Sequence, residues 1–135
     1  IQNEEYLMIN NDLHRIGYSF FMTGDTVTAD YYFNLQVKVC LKAIETERAF
    51  SDYFRYDLAA VQAFRGEKKK AYKNLKILAR KERFRKWFLS LIEVDPLFDS
   101  LRGEEEFEKF VNEVRTKYLK EHQRVKKWLE EHEMI

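Results

Sequence analysis

The residues of this 135-residue chain that could do chemistry are three histidines, one cysteine and several acid pairs. His14, His122 and His132 do not fall at spacings that let ring nitrogens share a metal. No HExxH, GxSxG, glycine-rich phosphate loop or cysteine pair occurs. The lone Cys40 cannot form an internal disulfide, and its place in a helical pattern predicts a buried, inert thiol. Acid pairs such as Glu4/Glu5 and Glu130/Glu131 read as solvated helix surface. The expectation is a binding scaffold with no catalytic, metal or cofactor site, and not an enzyme.

A basic stripe is the one charged candidate. Lys69, Lys73, Lys76, Arg80 and Arg83 recur at steps of four, three, four and three, so a continuous helix would carry them on one face, away from Ala71, Leu75 and Leu78. Nucleic acid or an acidic protein would meet such a surface. The stripe lacks aromatics at regular intervals for base stacking and reads better as a solvated outer face. The net charge of +1 is unevenly spread. Residues 1–63 hold five basic and nine acidic side chains, 64–92 eleven and two, and 93–135 eight and twelve. The flanking acidic blocks weaken any long-range attraction to phosphate.

The elements that would position these residues are helices. Apolar residues make up 45% of the chain, and four glycines and one proline leave little turn material, which moves the prior to all-α. Leu13, Ile16, Gly17 and Phe20 lie on one face of a first helix, expected over 3–23 and stopped by Gly24. Asp25 or Thr26 caps a second helix reaching Arg48, with Ala29, Phe33, Val37, Cys40 or Leu41, and Ile44 as its apolar stripe. A glycine inside a helix costs about 1 kcal/mol relative to alanine, so Gly17 needs a packing reason, and close approach to Ala29 supplies one. A third helix is expected over 53–65, with Phe54, Leu58 and Val61 inside, and a fourth over 68–81 after Gly66. Leu58, Ala59, Gly66, Ala71 and Leu75 repeat Ile16, Gly17, Gly24, Ala29 and Phe33 at an offset of 42 residues. Repeated helical hairpins are the signature of a solenoid.

The pattern resembles the tetratricopeptide-repeat (TPR) family over roughly residues 5–80. There a bulky residue, an aliphatic, a small residue and an aromatic on the first helix are followed by a turn glycine, then a small and a bulky residue on the second. Arg55 and Gln62 stand where the family has a bulky apolar residue and an aromatic. The 42-residue offset exceeds the usual repeat of about 34. The resemblance implies a TPR-like α-α superhelix whose first helices line a concave groove. From the first hairpin the groove would take Asn11, His14, Tyr18, Phe21 and Met22, and from the second Tyr53, Tyr56, Ala60, Ala63 and Phe64. Such an aromatic groove would dock a partner peptide or helix. His14, Tyr18, Tyr56 and Ala60 stand where relatives that clamp a C-terminal carboxylate use lysine, arginine and asparagine, which disfavours that ligand.

A fifth helix over 83–94, with Phe84, Phe88, Leu91 and Ile92 on one side, completes the hairpin region at 1–94. Residues 95–135 are expected to belong to the same domain: Asp95-Pro96 opens a short helical turn to Gly103, and a long capping helix runs from Glu104 to about His132. The segment DPLFDSLRGEEEF resembles the tail that closes TPR arrays in bacterial regulatory proteins, and the chain begins at Ile1 in helical spacing, as a piece of a longer protein would. The distal half of the last helix, with Val125, Trp128 and Leu129, would overhang, and Glu130, Glu131 and Glu133 oppose its dipole, so its tip should fray. The alternatives to a partner-docking scaffold are a homodimer formed by the groove and last helix, or nucleic-acid binding through the stripe. No apolar run reaches the roughly 18 residues that span a bilayer, and a cytoplasmic location is expected.

Overall fold

A computed structural model describes residues 12–47 and 51–135. Among them the regular elements are all helical: α1 (Leu13–Met22), α2 (Thr26–Glu45), α3 (Ser51–Phe64), α4 (Lys68–Ala79), α5 (Lys86–Val94), a 3₁₀ turn (Pro96–Leu101) and α6 (Glu105–Glu131). The chain divides into two compact units, Ile1–Leu78 and Ala79–Ile135. That division places the fifth helix with the C-terminal segment rather than with the hairpins.

The two hairpins turn alike. Gly24 and Gly66 both have the left-handed backbone that favours glycine, with φ of 87° and 75°. Around Gly24 the amides of Gly24 and Asp25 donate to the carbonyls of Phe21 and Phe20, both at 3.0 Å. Around Gly66 the amides of Gly66 and Glu67 donate to Ala63 and Gln62, at 3.0 and 2.8 Å. Every one of those atoms corresponds at the 42-residue offset. Asp25 caps α2: its carboxylate accepts from Thr28 N at 3.0 Å and from Thr28 Oγ1 at 2.6 Å, bonds that hold it below the usual carboxylate range.

Gly17 is buried, and a Cβ there would meet the Ala29 carbonyl oxygen at 3.1 Å and the Phe33 ring at 3.2 Å. The small residue lets α1 lie flush on α2. Leu13, Leu35 and Val39 form an adjoining core with Ile16, Tyr32 and Phe54 packed against it.

Several boundaries differ from expectation. Asp12 is not helical, with φ −106° and ψ 9°, so α1 begins at Leu13; residues 3–11 lie outside the described residues. The buried face of α2 is Ala29, Phe33, Gln36, Cys40 and Ala43, joined by Leu35 and Val39. Val37 and Ile44 are only half-buried and Leu41 is exposed, so the face is turned by one residue from the predicted stripe. Arg55 and Gln62, the two departures from the repeat pattern, meet one partner: Arg55 Nη1 donates to Asn74 Oδ1 at 2.9 Å, and Asn74 Nδ2 donates to Gln62 Oε1 at 2.8 Å. A polar ladder joins α3 and α4 at these two positions.

In the C-terminal unit, Asp95 accepts from Leu97 N at 3.1 Å and starts the 3₁₀ turn. Arg102 donates to the carbonyls of Ile92 and Asp95 at 3.2 and 2.7 Å, closing the end of α5, and lies over the Phe107 ring. Phe88, Ile92, Leu97, Phe98, Phe107 and Val114 make the core beneath. Leu91 is half-buried, and Phe84, though buried, precedes the helix. α6 continues through Glu131, and just beyond it Met134 N donates to Leu129 O at 2.9 Å.

Candidate functional site

The expected groove separates into an aromatic edge and a buried polar centre. The edge comes from the ends of α1 and α3. Phe64 accepts two rings from α1, Tyr18 at 5.9 Å and Phe21 at 4.9 Å, both edge-on, and packs on Phe33 of α2 at 5.0 Å. Phe21 is 43% exposed and Met22 64%, while Tyr18 and Phe64 are half-buried behind them. Tyr18, Phe21 and Phe64 form one aromatic cluster, and Met22 follows Phe21 at the exposed end of α1. Tyr53 is half-buried at the start of α3, and Asn11 lies outside the described residues.

The remaining groove residues do not face an open surface. His14 and Tyr56 are each 1% exposed, and Ala60 and Ala63 are fully buried. The reason is the neighbours that α2 and α3 supply. Gln36 Oε1 accepts the His14 backbone amide at 3.1 Å, which fixes that corner of the amide as oxygen. His14 Nδ1 sits 2.9 Å from the same oxygen and therefore carries a proton. On its far side Nε2 faces Asp57 Oδ1 at 3.4 Å. Gln36 Nε2 in turn donates to Cys40 Sγ at 3.3 Å. Burial, reinforced by the charge of Asp57, pushes the Cys40 thiol up to about 12, so it stays protonated and is no nucleophile at neutral pH.

Comparison with known protein families, curated proteins and solved structures finds no match in any of the three. What the chain does must therefore be argued from this geometry. The His14–Gln36–Asp57–Cys40 centre ties α1, α2 and α3 together from the inside. Among the described residues no group of histidine, cysteine and acid side chains is arranged to hold a metal ion.

Sequence reasoning found His14 and Cys40 but missed Gln36 and Asp57. The available signal was the spacing of Ala29, Phe33, Gln36, Cys40 and Ala43, which carries one polar residue in an otherwise apolar or small series. It also missed a second aromatic set beside the turn, where Phe20 stacks on Tyr32 at 5.7 Å and Tyr31 meets Tyr32 edge-on at 5.2 Å.

The basic stripe does not persist as one face. Lys69, Lys73 and Lys76 are exposed on α4, but that helix ends at Ala79. Arg80 and Arg83 lie beyond it, and Arg83 Nε pairs with Glu121 of α6 at 3.5 Å. No helix in the described residues is long and apolar enough to cross a membrane.

Proposed function

We propose that the N-terminal unit is a TPR-like protein-interaction module that docks a peptide or helix of another protein on the edge made by Tyr18, Phe21, Met22 and Phe64. The supporting observation is that Phe21 and Met22 are exposed beside rings already locked in place by Phe64 and Phe33. An apolar side chain arriving there meets a surface that needs little ordering, so less of the contact energy is lost to entropy. Aromatic anchors of this kind dominate the affinity of small interfaces. The matching turns at Gly24 and Gly66 support the repeated-hairpin reading, and the solvated exterior of α4 fits a protein partner better than nucleic acid.

The test is peptide selection by display on the immobilised chain, followed by titration of a selected peptide monitored by amide resonances. The expected result is perturbation confined to the ends of α1 and α3 and loss of binding in Phe21→Asp. Undiminished affinity in that variant, or perturbations centred elsewhere, would remove this reading.

A further inference from the structure

One seam runs the length of α6. Phe107, Val111 and Val114 begin it, and Tyr118, Glu121, Val125 and Trp128 continue it at alternating steps of three and four, the spacing of a coiled coil, with His132, the residue that caps the helix, at the next step. The first three residues are buried in the core of the C-terminal unit. Tyr118 and Glu121 are half-buried where the chain from Ala79 onward runs alongside: Lys117 donates to the Ala79 carbonyl and Arg83 pairs with Glu121. Farther out the same seam is open, with Val125 40% and Trp128 46% exposed, although the helix stays regular to Glu131.

We propose that this open end of α6 pairs antiparallel with the same segment of a second copy of the chain, as a short two-stranded coiled coil. The charge pattern selects both partner and direction. In a parallel pair Glu121 would face Glu121, His132 would face His132, and Arg124 would flank Leu129. Turned antiparallel about an axis near Lys126 and Lys127, the seam sets Val125 against Trp128 of the second copy and Glu121 against its His132. The flanking position of Arg124 then falls opposite Glu131 of the second copy, twice by symmetry. The acidic tip, Glu130, Glu131 and Glu133, sits unfavourably at the C-terminus of its own helix, and the antiparallel arrangement brings it to the Lys120–Lys127 stretch of the other copy. The proposal uses none of the residues of the docking edge at Phe21, so the two readings stand or fall independently.

Arg124 and Glu131 are seven residues apart, about 10 Å along the helix, and cannot pair within one chain. Within the chain Arg124 instead contacts Glu121 at 2.7 Å and Glu131 contacts Lys127 at 3.7 Å. A charge exchange between positions 124 and 131 therefore reports contact with a second copy. Sedimentation equilibrium on the full chain is expected to show a reversible monomer–dimer equilibrium below about 1 mM. Arg124→Glu and Glu131→Arg should each raise the dimer Kd roughly tenfold, and the double variant should return it to within about threefold of the parent. Val125→Glu should abolish dimerisation with the far-ultraviolet circular dichroism unchanged, because the position is exposed. A chain that stays monomeric to about 1 mM overturns the proposal. So does a dimer indifferent to Val125→Glu, or a double variant no tighter than the single ones.

Discussion

Replacing Gly17 tests the contact that brings α1 onto α2. A Cβ at Gly17 would sit 3.1 Å from Ala29 O and 3.2 Å from two carbons of the Phe33 ring. The oxygen is backbone of α2 and cannot swing aside. Phe33 is 1% exposed, packs on Phe64 at 5.0 Å and has the Arg65 guanidinium over it at 5.7 Å, so it too has little room. Alanine for glycine in a helix interior gains about 1 kcal/mol from the backbone. Forcing a methyl into a packed contact costs typically 1–3 kcal/mol. Gly17→Ala should therefore be destabilised by about 1 kcal/mol net, lowering the melting temperature by roughly 4 °C. Gly17→Val keeps less of the propensity gain and adds two more methyls, so a loss of about 3 kcal/mol and a drop of at least about 10 °C is expected. Ala59, the equivalent position in the second hairpin, is a control of opposite sense. It is fully buried, so Ala59→Gly should cost about 1–2 kcal/mol through propensity and the lost methyl. Thermal melts followed by circular dichroism read all three. If Gly17→Ala were stabilised by the full propensity gain, the close approach of α1 to α2 would be refuted.

Gln36→Leu removes the acceptor shared by the His14 amide and Nδ1, and should cost about 2–4 kcal/mol in urea denaturation. Asp57→Ala removes the carboxylate 3.4 Å from the buried His14 Nε2 and should cost about 1–3 kcal/mol. Asn74→Ala takes away the partner of both Arg55 and Gln62 and should lose about 2 kcal/mol, while Lys73→Ala one residue earlier, on the exposed side, should lose under about 0.5 kcal/mol. Cys40 should resist thiol reagents at pH 8 in the folded chain and react freely in denaturant. Its folded value of about 12 lies above the ordinary value of 9.0, so the unfolded chain loses its proton first. The stabilising contribution is complete below pH 9 and should fall by up to about 1.4 kcal/mol per pH unit between the two values, as denaturation at graded pH would show.

Much of the fold was legible because its signals are local. Gly24 and Gly66 mark turns, since a left-handed residue after a helix favours glycine whatever surrounds it. Asp95-Pro96 marks a helical start for an equally local reason. The faces of the helices were harder to read. On α2 a 3.6-residue period allows a stripe through either Val37 and Ile44 or Gln36 and Ala43, and apolar character favours the wrong one. The choice turned on His14, whose backbone amide and Nδ1 meet Gln36 Oε1, and on the small Ala43 being buried. The basic stripe was extended too far because nothing in RKERFR, residues 80–85, is a helix breaker.

Composition and spacing alone dictated that the regular elements of the described residues are helices, that a hairpin turn recurs at 42 residues, and that a glycine stands where two helices touch. These follow from backbone preferences and side-chain size, which each residue carries with it. Which aromatics stay exposed, why His14 and Tyr56 are buried, and how one asparagine serves both Arg55 and Gln62 were decided by tertiary structure. Those outcomes depend on partners contributed by other helices, and a polar side chain's place is set by whichever group can satisfy it once water has gone.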